Sequence, residues 1–192
     1  MAMKRTFAVG IGVLVLLSLL ALHLWAGEVN TSQQFLLLAT KKTSTMQKEL
    51  NQAAAAGYRI IAGSRTSGTE IALLLESVAE PPNTYKYQLL ATSRTGTMDK
   101  ELNQAAAEGF RLLPSTLMQK KRAFGAMEIV MVLEKAPNSE KKFEYKLLAT
   151  SRTGTLQKEI MQATEGGFKV VAMVSRGEHI AILERPATAW DD

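Results

Sequence analysis

Phe35-Leu-Leu-Leu-Ala-Thr, Tyr87-Gln-Leu-Leu-Ala-Thr and Tyr145-Lys-Leu-Leu-Ala-Thr open three segments whose starts lie 52 and then 58 residues apart. Residues 35–61 and 87–113 agree at 17 of 27 positions, so the chain is an internal triplication. A repeat near this length marks a supersecondary unit that buries its core by stacking on its neighbours. The repeats fall at 33–80, 84–136 and 142–186. Pro81-Pro82-Asn83 and Pro137-Asn138-Ser139 punctuate the chain between them, as linkers do.

Each copy reads as strand, helix, strand, strand. In the middle one, Tyr85, Tyr87, Leu89 and Ala91 alternate with Lys86, Gln88, Leu90 and Thr92, the period-two pattern of a strand. Thr97 is positioned to accept a hydrogen bond from a free amide as an N-cap, with Asp99 in the first turn against the positive helix end. Met98, Leu102, Ala105 and Ala106 then share one helix face, over about eleven residues. Gly109 followed by Phe110 is a stop signal, repeated as Gly57-Tyr58 and Gly167-Phe168. The second strand is expected at about 110–117, with Pro114 forcing an edge or a bulge. The third is expected at Met127–Lys135. A right-handed crossover followed by a hairpin places the third strand between the first two. The fold class is therefore α+β: three tandem β-α-β-β repeats packed together, each a three-stranded sheet covered by one helix. The packing itself stays open between a compact array, a closed pseudo-threefold unit and an open solenoid.

Composition narrows the chemistry. The 192 residues include no cysteine and two histidines, which excludes disulfides, thiol catalysis, thiolate metal sites and histidine clusters. No metal and no cofactor is expected. Lys4 and Arg5 precede an apolar run from Phe7 to Ala26, the order of charges and apolar residues seen in export signals. Residues 1–26 read either as a cleaved signal peptide or as an N-terminal membrane anchor, the run being long enough to span a bilayer. Both readings place the remainder outside the cytoplasm, in the periplasm. The net charge is +5; setting Lys4 and Arg5 aside leaves 21 basic residues against 18 acidic, interspersed rather than clustered. Together with export, this argues against a nucleic-acid partner. Residues 187–192 read as a loose tail.

The repeat resembles the small bacterial DUF4177 domains, on Tyr87-Gln-Leu-Leu, Ala106-Ala107-Glu108-Gly109-Phe110 and Ile129-Val130-Met131-Val132-Leu133-Glu134. Tyr145-Lys-Leu-Leu, Gly167-Phe168 and Ile182-Leu183-Glu184 repeat the outline. Where that family usually carries Trp after the glycine, this chain has Tyr58, Phe110 and Phe168. The resemblance covers about residues 35–186, and it implies a fold and no chemistry.

Two sets of residues are candidates for binding. The strand-to-helix loops repeat a basic residue and two threonines: Lys42, Thr43 and Thr45; Arg94, Thr95 and Thr97; Arg152, Thr153 and Thr155. Helix-start amides with an adjacent cation can hold a small anion, and three loops gathered on one axis would make one pocket. The plainer reading is capping and turn formation. The second set is the middle hairpin, six residues longer than the first, whose tip holds Lys120, Lys121, Arg122 and Phe124 and would suit an anionic surface or an acidic envelope protein. Lys48-Glu49, Lys100-Glu101 and Lys158-Glu159 also recur, as do Gln52, Gln104 and Gln162, and duplication accounts for them equally well. His179 reads as a partly buried strand residue. The glutamates Glu70, Glu76, Glu128, Glu134, Glu178 and Glu184 read as solvent-facing strand ends. The expected role is a noncatalytic binding or scaffolding protein of the cell envelope, with a small-anion or ligand sensor as the alternative and an enzyme as the least expected. The oligomeric state is left open.

Overall fold

The computed structural model describes residues 33–66, 69–79, 84–122, 125–137, 139 and 141–187. Unit 1 consists of β1 (Phe35–Thr40), α1 (Thr43–Ala55), β2 (Tyr58–Arg65) and β3 (Ile71–Ser77). Unit 2 runs β4 (Lys86–Thr92), α2 (Thr95–Ala107), β5 (Arg111–Leu112), a 3-10 turn (Pro114–Thr116), β6 (Met118–Lys121) and β7 (Met127–Lys135). Unit 3 repeats the simpler pattern as β8 (Phe143–Thr150), α3 (Thr153–Glu165), β9 (Lys169–Ser175) and β10 (His179–Pro186). The triplicated β-α-β-β architecture expected from the repeats is the fold.

The hairpin strand lies in the middle of every sheet. The orders are β1-β3-β2, β4-β7-β5 with β6 also on β7, and β8-β10-β9. All of these pairings are antiparallel, so the first two strands of each unit run parallel and the helix is their crossover. The central strand is flanked on both edges and carries the densest apolar run, with Ile129 to Leu133 all buried.

Alternation along these strands divides the core. Ile129, Met131 and Leu133 pack with Leu90 against Met98, Leu102, Ala105 and Ala106 of their own helix, in the same cluster as Tyr145, Ile180 and Ile182 of unit 3. The other face of β10, Ala181 and Leu183, packs with Leu156 and Ala163 of α3. Each following unit therefore turns one face of its sheet to the preceding helix and the other to its own. Unit 1 touches unit 2 and unit 2 touches unit 3, with no extensive contact between units 1 and 3 among the described residues. The packing is an open head-to-tail array, not a closed pseudo-threefold unit.

Several local expectations are corrected. The helices have 13 residues and begin three positions earlier than expected, at Thr43, Thr95 and Thr153. The N-caps are consequently Lys42, Arg94 and Arg152, without side-chain cap bonds, and Thr45, Thr97 and Thr155 sit inside the first turn. The threonine that shapes each entry is the last of the preceding strand: Thr40, Thr92 and Thr150 accept the amides of Lys42, Arg94 and Arg152 at 3.3, 3.2 and 3.1 Å. Pro114 breaks the second strand of unit 2 into β5 and β6, because a residue without an N–H starts the 3-10 turn between them. Two of the six extra residues are spent on this detour, which lies against β2, and the other four lengthen the β6–β7 hairpin. There Gly63 is so close to the turn that a Cβ would sit 2.8 Å from Met118 and 3.0 Å from Thr116.

Among the described residues no helix is long and apolar enough to cross a membrane. The membrane-anchor expectation therefore finds no support among the described residues; residues 1–26, on which it and the signal-peptide alternative both rest, lie outside them. Ala187 is tied to Lys142 by a 3.0 Å backbone bond, and the rest of the expected tail lies outside the described residues.

The stops are built as expected. Gly57, Gly109 and Gly167 have φ of 84°, 90° and 83°, and Phe110 donates back to Ala105 at 3.1 Å. Replacing Gly109 by valine forces a β-branched residue to positive φ and sets its Cβ 3.3 Å from Lys135. Gly109→Val is expected to destabilise the chain by more than about 1 kcal/mol in urea unfolding.

Candidate functional site

The most strongly built polar constellation is the joint between units. β4 starts unit 2 with Tyr87, whose side chain turns towards unit 1 and is 5% exposed. Its hydroxyl donates to Glu134 Oε2 at 3.1 Å and accepts the amide of Ile60 in unit 1 at 3.2 Å. Arg59 of unit 1 closes the cluster, donating from Nε at 3.0 Å and from a terminal nitrogen at 2.8 Å to the two oxygens of Glu134. Its guanidinium also lies 4.4 Å from the centre of the Tyr85 ring.

The joint between units 2 and 3 is the same assembly of residues. Tyr145 donates to Glu184 at 3.1 Å and accepts the amide of Leu112 at 2.9 Å. Arg111 donates from Nε to Glu184 at 3.2 Å, with a second, shorter bond from its terminal nitrogen, and lies 4.4 Å over Phe143. The preceding helix adds a second set of bonds along the edge of the incoming strand. Gln47 donates to the Tyr87 carbonyl at 3.0 Å and accepts the Leu89 amide at 2.7 Å. Asn103 treats Tyr145 alike, at 3.0 and 2.9 Å. Asp99, expected to serve its own helix end, instead accepts the Leu147 amide at 3.2 Å. These side chains satisfy backbone groups of an edge strand that would otherwise face solvent or another chain.

The carboxylates were expected at solvent-facing strand ends, and Glu134 and Glu184 are instead buried within these joints. Burial pushes the Tyr87 and Tyr145 hydroxyls above the ordinary value of 10.0. The hydrogen bonds to Glu134 and Glu184 likewise hold the Arg59 and Arg111 guanidiniums above the ordinary arginine value. The cluster keeps its tyrosines protonated and its arginines ionised; the carboxylates are buried, while the Arg59 and Arg111 side chains are 41% and 57% exposed and line, with Glu134 and Glu184, a cavity of about 410 Å³.

The basic residues singled out from sequence are partly brought together elsewhere. A cavity of about 460 Å³ is lined by Lys41, Lys42, Thr43 and Ser44 at the start of α1, and by Lys120, Lys121, Arg122 and Glu128 of the middle hairpin. Neither Arg94 nor Arg152 lines it, so the loops do not converge there on one axis. Thr95 is half-buried, while Thr97, Thr153 and Thr155 are exposed. Lys120 is not an exposed contact residue: it is 6% exposed and donates to Glu128, its cross-strand partner, at 3.0 Å. Arg122 approaches the same carboxylate at 3.7 Å. Lys121 remains exposed, and Phe124 lies outside the described residues. His179 is half-buried at the start of β10, and no His, Asp or Glu group among the described residues is placed to hold a metal ion.

No protein-family model matches the chain. No curated protein and no solved structure matches it either. The likeness to the DUF4177 domains thus rests on the residues quoted for it alone.

Two outcomes check the joint. Tyr87→Phe removes the acceptor of a buried amide and a donor to a buried carboxylate, and is expected to cost about 1–3 kcal/mol in urea unfolding. Arg59→Ala is expected to cost much less in a Glu134→Ala background than alone, since each acts through the other. Stability should also fall as pH rises past 10, because there the unfolded chain releases tyrosine protons that the folded joints retain. That alkaline loss should shrink in Tyr87→Phe/Tyr145→Phe.

Proposed function

We propose that the chain is a noncatalytic scaffolding protein, whose stacked units hold several similar surfaces in a fixed series for other molecules. One observation carries this reading: the side chains best suited to acid–base chemistry, Tyr87, Glu134, Tyr145 and Glu184, are buried in the joints and bonded to one another. Glu134 and Glu184 line a cavity of about 410 Å³, but each carboxylate is already bonded to an arginine and a tyrosine, which disfavours its taking a proton from a substrate. Repeated units in fixed order suit multivalent contact, where each additional engaged surface adds to avidity.

The basic cavity favours a second reading, the binding of a small anion. Its lining carries five basic side chains and one acid, and Glu128 already engages Lys120 and Arg122. Lys41, Lys42 and Lys121 are left to face an incoming charge beside the first turn of α1, where backbone amides are free.

The scaffolding reading is tested by incubating the purified chain with a metabolite extract and following the extract by mass spectrometry. No reproducible consumption is expected, and turnover that scales with protein concentration would overturn the reading. The anion reading is tested by calorimetry with pyrophosphate. Binding should weaken at least tenfold in Lys42→Ala/Lys121→Ala, and equal affinity in that variant would exclude this cavity.

A further inference from the structure

The two internal joints leave half a joint at each end of the described array. The same structural position has three environments. Tyr87 and Tyr145 are each 5% exposed, whereas Phe35, their equivalent in unit 1, is 48% exposed. On the other side of the joint, Ile60 and Leu112 are 5% and 2% exposed, whereas Val170, their equivalent in unit 3, is 46% exposed. Leu37 at 65%, Met161 at 57% and Met173 at 64% extend the two bare surfaces. Repeat arrays ordinarily end in polar capping units, whereas the described residues of this one present apolar surface at both ends.

We infer that a second copy of this chain docks head to tail, the β1 face of its unit 1 seating on the α3–β9 face of unit 3 and completing a third joint of the internal kind. The inference rests on the scaffolding reading and gives it a partner. The occupant is specified by the joint itself, which the chain builds twice between its own units. The end surfaces carry the corresponding parts: Phe35 stands for Tyr87, Glu76 for Glu134, Lys169 for Arg59 and Gln157 for Gln47. Glu76 pairs across the sheet with Phe35, as Glu134 does with Tyr87, so the carboxylate and the ring are presented on the same face. Space also permits the contact. Met173 occupies the position of Gly63, but unit 1 of the incoming copy lacks the 3-10 detour that crowds Gly63.

The external joint is weaker than the internal ones. Phe35 has no hydroxyl for a buried amide, and lysine makes one point contact where arginine makes a forked pair. Association must also overcome the loss of free translation and rotation. Since the two surfaces differ, the contact is heterologous and propagates into rings or filaments.

The chain has no cysteine, so crosslinking can be placed at will. In full-length Leu37→Cys/Gln157→Cys, a short bismaleimide is expected to give a ladder of dimers, trimers and higher species. Gln47→Cys/Leu89→Cys, the corresponding internal pair, should react within one chain and shows that the spacing is right. Lys169→Glu should reduce the ladder at least tenfold, and adding Glu76→Lys should restore it. Absence of the ladder while the internal pair reacts would overturn the proposal, as would a ladder indifferent to Lys169→Glu. Crosslinking of Leu37→Cys to Leu16→Cys within one chain would also overturn it, by giving the β1 face to the chain's own amino-terminal segment. None of these failures bears on turnover, so the scaffolding reading stands or falls separately.

Discussion

A buried carboxylate holding a tyrosine and an arginine from across a joint is the interaction on which the array depends. Glu134 and Glu184 are removed from water, which is costly for a charge unless its oxygens are fully bonded. Here the bonds come from two directions. The tyrosine of the same unit and the arginine of the preceding one meet on the same carboxylate. Displacing the neighbouring unit strands the charge, whereas displacing an apolar contact merely exposes it. Stacking by hydrophobic surface alone would tolerate sliding; the forked arginine and the tyrosine hydroxyl fix the position of one unit on the next.

The helices complete this constraint from the other side. Met98, Leu102, Ala105 and Ala106 bind α2 to its own sheet, while Asn103 and Asp99 on a flank of the same helix bond the backbone of β8. One helix thus belongs to two units at once. A unit of about fifty residues buries little surface by itself, and the shared helix is how this chain compensates. α3 has no following strand among the described residues, and it has just two buried side chains, Leu156 and Ala163, where α1 and α2 each have four.

The fold was legible because its signals are local and stated three times. Alternation located the strands and Gly109-Phe110 and its equivalents located the stops, while Pro114 marked an irregularity in the second strand without showing that a 3-10 turn divides it. The helix starts were misread because two threonines stand two residues apart, and the sequence does not show that the strand's own Thr92 already bonds the Arg94 amide. The joint was missed for a different reason. A glutamate ending a strand looks alike whether it meets water or the next unit, and the deciding contacts are 73–75 residues away. A signal was nevertheless present in the differences between repeats. The tyrosine hydroxyl occurs at Tyr87 and Tyr145, in the two units that have a predecessor, and is missing at Phe35. The arginine occurs at Arg59 and Arg111, in the two units that have a successor, and becomes Lys169 in the last. The basic loops were read as equivalent, and they diverged because the hairpin of unit 2 reaches only one of them.

The contact at Gly63 bears on how such an array can lengthen. The detour of unit 2 fits against unit 1 because the facing position has no side chain, while the same strand position carries Met173 in unit 3 and in unit 2 the second strand is itself broken by the detour. Duplicating the middle unit in tandem would press a second detour onto the first one, where the existing detour meets a glycine. The units are therefore not interchangeable bricks. The order of the three is written into one missing methyl group, and a lineage that gained the longer hairpin could grow further only by units that lack it.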